Sequence, residues 1–479
     1  MIKGTAGDLN IKRTKIVCTI GPASNSRSRI KQLISAGMDV ARLNFSHGTH
    51  KNHTDNINNI REISADMDRH TAILQDLSGP KIRVGEFPDG DVTLIRGNEF
   101  ILTGKDVPGN EHIASLSYRN LPGEVKPGDI LLLSDGMIQL KVIASDNVEI
   151  RCKVEVGGQL SSHKGINLPT GTLKIPSMTA KDKKDLKIGI KQEVDYIALS
   201  FVRKANDIDQ IKQSIKDSGS EIPVIAKIEK HEAVNNIDGI IAASDGIMVA
   251  RGDLGVEIPA ENVPAVQKML VRKCNKASKP VITATQMLRS MVDNPIPSRA
   301  EVTDVANAIL DGTDAIMLSE ETAIGHFPIK AVKIMSRIAA RTEFSEDFKR
   351  AMSHRDLPEG SSVTEAIGHS AVHVAHQINA VAIMTPTAHG KTPLAIARYR
   401  PPARIIALSS DRVTLRRLSL IWGVKPVYMD NSDDLNMMMR TIVDKAIEHG
   451  FKQEDKLVVT ASVPAGRMTN MIKIEVIGL

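Results

Sequence analysis

Aromatic residues occupy only 3% of the 479 positions, with a single tryptophan and four tyrosines. So few rings leave little on which bases could stack, so no single-stranded nucleic-acid surface is expected. Cysteine is as scarce. Cys18, Cys152 and Cys274 are odd in number and far apart, which argues against a disulfide framework or a cysteine zinc site and reads as reduced thiols of a cytoplasmic protein. No apolar run approaches the ~20 residues that cross a bilayer, and residues 1–13 lack the apolar core of a secretory signal. Neither sign of charge dominates: 62 Lys and Arg face 56 Asp and Glu, for a net +6. The basic cluster at 181–187 is broken by Asp182 and Asp185. Such a balance suits an enzyme with anionic substrates better than a nucleic-acid or membrane partner.

What is present is ordinary globular composition, 42% hydrophobic and 25% charged, in a chain long enough for two to four domains. Strand-like and helix-like segments alternate from the start. Strands are expected at 14–21, 38–46 and 71–76, with helices at 26–36 and from about Asn52. Between about 85 and 169 the pattern changes to short β segments separated by turn pairs such as Asp89-Gly90, Pro122-Gly123 and Asp135-Gly136. Alternation then resumes, with strands at 196–202, 224–229, 246–252, 281–285 and 314–319 and helices at 263–277 and 301–310. Without the insertion, eight strands and their helices fill roughly 240 residues, close to the ~250 of a (β/α)8 barrel. After a break at 357–360 a further α/β unit follows, with strands at 381–387, 404–410, 456–461 and 471–477. The expected domains are a barrel (1–84 and 170–345), an inserted all-β domain (85–169) and a C-terminal α/β domain (346–479).

In such a barrel functional residues collect at the C-terminal strand ends. Strand two ends in Arg42, Asn44 and Ser46, strand three in Asp76 followed by Lys81 and Arg83, and strand five in Lys227 and Glu229. Strand six ends in Arg251, Gly252 and Asp253, strand seven in Thr285, and strand eight in Ser319 and Glu321. Lys227 and Glu229 leave one strand face together. They fit a self-satisfied internal ion pair or, alternatively, a phosphate-facing ammonium beside a metal-ligating carboxylate. Glu229 and Asp253 offer oxygen donors suited to a hard divalent ion, and Arg42, Arg83 and Lys227 surround it with the cations a phosphate dianion needs. Phosphoryl transfer, which depends on positioning and charge neutralisation, is the leading chemistry. The turns at 252–255 and 284–286 either present N–H groups to a substrate carboxylate or serve as tight turns.

Six blocks in order then carry a resemblance: TKIVCTIGPAS at 14–24, ARLNFSHG at 41–48, AKIE at 226–229, MVARGDLG at 248–255, ATQML at 284–288 and MLSEETA at 317–323. Over nearly its full length the sequence resembles the pyruvate kinase family. The resemblance implies a TIM-type (β/α)8 barrel with a β lid and a C-terminal α/β regulatory domain. It implies phosphoryl transfer from phosphoenolpyruvate to ADP, giving pyruvate and ATP in glycolysis, with Mg²⁺ or Mn²⁺. Lys227, Arg42 and Thr285 would be catalytic, and substrate would be seated by Arg42, Lys227, Ala250, Gly252, Asp253 and Thr285. Glu229 and Asp253 would hold the metal, while Asn44, Phe45, Ser46, His47, Arg83 and Lys164 would meet the nucleotide. The family also implies a cytoplasmic homotetramer.

One departure is informative. Potassium-using relatives have a Glu in the third-strand motif where this chain has Lys81, within DLSGPKIR at 76–83. The expectation is that Lys81, near Asn44, Ser46 and Asp76, replaces the monovalent cation, so that K⁺ is not required. Glu320 also stands where relatives carry a small residue, with no role assigned. In the last domain, Thr385, Thr387, His389, Gly390, Lys391 and Thr392 end a strand and open a helix, which suits either a capped helix start or capture of a phosphorylated effector. Two other readings fit the same residues: an Mg²⁺-dependent barrel lyase or aldolase acting on a pyruvate enolate without nucleotide, and a non-catalytic effector-binding protein.

Overall fold

The computed structural model describes residues 12–479 apart from 172, 353–360, 433 and 463–467. The break expected at 357–360 and nearly all of the N-terminal arm lie outside the described residues.

Eight parallel strands close a barrel: Lys15–Thr19, Val40–Asn44, Ala72–Asp76, Tyr196–Leu199, Val224–Ile228, Gly246–Ala250, Val281–Ala284 and Ala315–Leu318. Each pairs with its neighbours in sequence, and the last returns to the first. Buried on both faces, the strands are nearly continuous apolar runs. The lumen is filled by alternate residues, among them Val17, Val40, Leu74, Ala198, Ile225, Met248, Ile282 and Met317. Two residues further along the first, second, third, fourth and fifth of these strands, the same side of the chain carries Thr19, Arg42, Asp76, Ser200 and Lys227, all buried. The lumen thus changes from hydrocarbon to charge at its C-terminal mouth.

The opposite mouth has its own pattern. An aspartate just before a strand accepts the first or second N–H of the strand beside it: Asp39 from Ile16 (2.8 Å), Asp195 from Ile73 (2.8 Å), Asp245 from Val224 (2.8 Å) and Asp314 from Val281 (3.0 Å). These bonds satisfy backbone donors that the barrel ladder leaves unpaired.

Helix starts explain small differences from expectation. The second helix runs His50–Asp66, beginning before Asn52, because Thr49 and Asn52 form a reciprocal capping box. Ser298 and Glu301 do the same for Arg299–Leu310.

The chain leaves the barrel at Gly79, whose φ is +66° and where a Cβ would lie 2.8 Å from the Phe201 ring. It then builds a seven-stranded sheet that begins with Ile82–Arg83 and closes with Gly165–Asn167, its core made by Phe100, Leu131, Leu140 and Ile150 among others.

The C-terminal sheet has five strands in the order Val424–Tyr428, Arg404–Ser409, Ala382–Pro386, Lys456–Ala461 and Met471–Val476, the last antiparallel. Val424–Tyr428 was not foreseen because Pro426 interrupts it, and it is an edge strand, where a proline is tolerated. This domain seals the N-terminal mouth of the barrel. Leu420 joins the lumen cluster, Lys15 donates to Val424 O (2.7 Å), Arg400 pairs with Asp314 (2.8 Å) and Arg416 with Asp195 (2.8 Å).

Candidate active site

The charged mouth of the lumen is organised by Asp76. Arg42 Nε lies 2.6 Å from its Oδ2 and Lys227 Nζ 3.2 Å from its Oδ1. Arg42 also donates to Thr19 Oγ1 (2.8 Å). Lys227 reaches Glu229 Oε1 at 2.9 Å and donates to Ser200 Oγ at 2.7 Å. Asp76, Lys227 and Glu229 are at most 8% exposed, so their charges act through a poorly solvated medium. Burial pulls the Lys227 ammonium toward neutrality, but Asp76 and Glu229 outweigh it and raise its pKa. Burial likewise works to raise the Asp76 pKa, yet Lys227 and Arg42 bring it below the ordinary carboxylate value. For Glu229 burial dominates, and its pKa is raised. Its Oε2 accepts from Phe201 N at 2.7 Å.

Asp253 lies in the first turn of the short helix Arg251–Glu257. It and Glu229 feel each other's charge, so two carboxylates flank one region. Lys81 Nζ stands 3.0 Å from Asp253 Oδ1 and 3.9 Å from Asp135. Here the structure departs from expectation, since the cations on Asp76 are Arg42 and Lys227. The Gly79-Pro80 bend and the pairing of the next strand with Gly165–Asn167 carry Lys81 toward the sixth-strand rim.

Thr285 has φ +67° and Gln286 +55°, an uncommon conformation for side-chain-bearing residues. It turns Thr285 Oγ1 to accept from Gly252 N (2.8 Å) and donate to Ala284 O (2.6 Å). That Gly252 N–H is therefore engaged. Arg251 ties the two rims together, bonding Thr285 O (2.8 Å) and Asp304 (2.7 Å). Ala250 is buried at the end of its strand.

Around the second strand, Asn44 Oδ1 accepts from Ser46 N at 3.2 Å. Phe45 is buried and stacks on His53 with centroids 3.9 Å apart, so it supports this loop from beneath. His53 Nε2 bonds His47 O at 2.8 Å. A cavity of about 220 Å³ lies beside them, lined by Phe45, Gly48, Thr49, His50, Lys181 and Asp185 among others. Arg83 bonds His163 O at 2.9 Å, and the exposed Lys164 accepts from Val84 through its carbonyl, so both lie at the paired strands Ile82–Arg83 and Gly165–Asn167 of the inserted domain.

Sequence reasoning missed Ser200, which bridges Lys227 and Asp76, and Lys181, whose ammonium lies 2.6 Å from Asp185 at the cavity wall. Ser200 follows the last residue of the fourth strand, so the strand-end rule was the available signal. Glu320 receives an assignment: it pairs with Arg289 at 2.8 Å on the exposed rim.

In the C-terminal domain, Thr385 is buried with an Oγ1 that meets no hydrogen-bond partner. Thr387 Oγ1 accepts from Gly390 N (2.9 Å), Gly390 has φ +77°, and Lys391 opens the helix Lys391–Ala397. Thr392 Oγ1 lies 2.6 Å from Thr469 Oγ1, and His389 is exposed.

Cations gathered around oxygen donors at the mouth of a (β/α)8 barrel, with the inserted β domain beside them, suit a phosphotransferase. Comparison with known proteins makes this specific. The family model described as pyruvate kinase, barrel domain, matches residues 11–332, and that described as pyruvate kinase, alpha/beta domain, matches 365–475. Pyruvate kinases of Staphylococcus aureus strains MRSA252 and USA300 are each 46% identical over 473 residues, 98% of this chain and 81% of theirs. A crystal structure of a pyruvate kinase from Cryptosporidium parvum superposes with a TM-score of 0.92 at 38% identity, covering 99% of this chain and 98% of that one. The chain belongs to the pyruvate kinase family. Its reaction is transfer of the phosphoryl group of phosphoenolpyruvate to ADP, with pyruvate and ATP as products.

Proposed function

We propose that Lys227, Arg42 and Thr285 carry the transfer, with Glu229 and Asp253 holding Mg²⁺ or Mn²⁺. The observation behind this reading is the single ammonium of Lys227, fixed between Asp76, Glu229 and Ser200 at the mouth of the lumen. Positioned in advance, it stabilises negative charge on the bridging oxygen as the P–O bond breaks, with no reorganisation at that moment. Arg42, held by Asp76 and Thr19, presents its remaining N–H groups to the phosphoryl oxygens. The enolate left behind takes a proton at its methylene carbon on the Thr285 side.

The donor set suits a hard divalent ion because Glu229 and Asp253 offer carboxylate oxygens, and the Lys81 ammonium beside Asp253 would share that carboxylate with it. Such an ion, when bound, neutralises phosphoryl and carboxylate oxygens. Lys81, whose ammonium stands at Asp253, serves as a tethered monovalent cation of the site, and K⁺ is not required. Asn44, Ser46, His47, Arg83 and Lys164 meet the nucleotide, with Phe45 beneath, and the lid closes over it to exclude water.

The loop at 385–392 binds a phosphorylated effector, a reading supported by the orphaned Thr385 hydroxyl and the helix start at Lys391. Assembly as a cytoplasmic homotetramer completes the proposal. It is tested by following ATP formed from phosphoenolpyruvate and ADP while Mg²⁺ is titrated in tetramethylammonium buffer. Full turnover on Mg²⁺ alone is expected, and a steep requirement for added K⁺ overturns the role given to Lys81.

A further inference from the structure

Behind the site, where barrel and lid meet, lies a second convergence of donors. His231 and Glu232 open the helix His231–Asn235, and Glu257 closes the helix Arg251–Glu257. One ligand atom from each of the three falls within 4.8 Å of the others. His231 Nδ1 stands 3.3 Å from Glu257 Oε2 and 3.4 Å from Glu232 Oε2, too far from either for a strong hydrogen bond. Glu257 spends its other oxygen elsewhere, since Oε1 takes Asn167 Nδ2 (2.7 Å) and Lys230 Nζ (2.6 Å). Glu232 is only 9% exposed, and its Oε2 has no hydrogen-bond partner. A buried carboxylate oxygen left in this condition is costly unless something occupies the space it faces.

We infer that His231, Glu232 and Glu257 form a binding site for a divalent transition-metal ion, separate from the oxygen-only site of Glu229 and Asp253. The spacing fits. A tetrahedral ion with bonds of about 2.0–2.1 Å holds its ligands about 3.3–3.4 Å apart, as His231 Nδ1 stands to both carboxylates. The imidazole sets selectivity, favouring Zn²⁺, Co²⁺ or Ni²⁺ over Mg²⁺ and Ca²⁺. Lys230, on the far oxygen of Glu257, offsets part of the negative charge and weakens the site relative to one without an ammonium. Solvent supplies the remaining ligand position.

The ion has a mechanical consequence. Asn167 belongs to the lid strand Gly165–Asn167, and Glu257 ends the helix that carries Asp253. Fixing Glu257 therefore stiffens the base of the lid against the barrel.

The test uses untagged full-length enzyme saturated with Mg²⁺, which fills the oxygen-only site, and titrates Co²⁺ while recording its visible absorption and X-ray absorption. One Co²⁺ per chain with a histidine nitrogen among its ligands is the expected result. Glu232→Gln, which keeps shape and relieves a buried charge, weakens Co²⁺ binding by at least about tenfold. His231→Ala does the same, while Glu229→Gln retains the site. Co²⁺ that excess Mg²⁺ displaces fully, or that both Glu232→Gln and His231→Ala bind as tightly as the unaltered chain, overturns the inference.

Discussion

Lys81 Nζ lies 3.0 Å from Asp253 Oδ1, joining the root of the lid to the rim of the sixth barrel strand. The carboxylate proposed to hold the metal is thus already compensated by a side chain at the start of the inserted β domain. Lys81→Glu reverses the sign of that charge and restores the need for a diffusible cation. The variant is expected to be nearly inactive in tetramethylammonium buffer and to recover at least about tenfold when K⁺ is added, while the unaltered enzyme changes little. A steady-state assay with and without K⁺ reads this directly.

Asp76 holds two buried cations at once. Replacing it with Asn leaves Arg42 and Lys227 without their shared anion, a loss on the order of 3–5 kcal/mol. Its folded pKa is below the unfolded value of ~3.9, so its contribution is complete above that value and disappears as pH falls through the folded pKa. Urea midpoints compared at pH 7 and pH 3 are therefore expected to separate Asp76→Asn from the unaltered chain widely at neutrality and less in acid.

Lys15 gives a dependence of the same sign in an alkaline window. Burial against the C-terminal domain lowers its pKa to about 8. Between that value and its unfolded ~10.4 the unfolded chain binds more protons, so stability rises with pH. Lys15→Met removes this rise, worth at most about 3 kcal/mol. Melting temperatures from pH 7 to 10 are expected to climb less, or fall more, for Lys15→Met than for the unaltered enzyme.

In the C-terminal domain, Lys391→Ala removes the cation at the start of the helix Lys391–Ala397. Activation by phosphorylated metabolites is expected to be lost while activity at saturating phosphoenolpyruvate stays intact. Unchanged activation contradicts the effector site.

Much of this was legible from strand periodicity. Because side chains repeat every two residues, the polar tips of apolar runs point to Arg42, Asp76, Lys227 and Glu229 from the sequence. The barrel followed from eight such runs and the lid from a change of pattern. What stayed hidden depended on contacts distant in sequence. Ser200 is an ordinary residue until Lys227 and Asp76 are seen to share it. Lys181 read as part of a charge run, and its place beside Phe45 and Asp185 requires the helix to pack against the second-strand loop. Lys81 was matched to Asp76 by resemblance to the family motif, whereas the bend at Gly79-Pro80 directs it to Asp253.

The central claim is that one fixed ammonium drives the transfer. Lys227→Met, verified as folded by circular dichroism, is to be assayed for ATP formation from phosphoenolpyruvate and ADP, with Mn²⁺ binding followed by electron paramagnetic resonance. A well-placed charge of this kind is worth ~3–4 kcal/mol or more, so turnover should fall at least about 10²–10³-fold while Mn²⁺ still binds. Turnover within a few-fold of the unaltered enzyme contradicts the account.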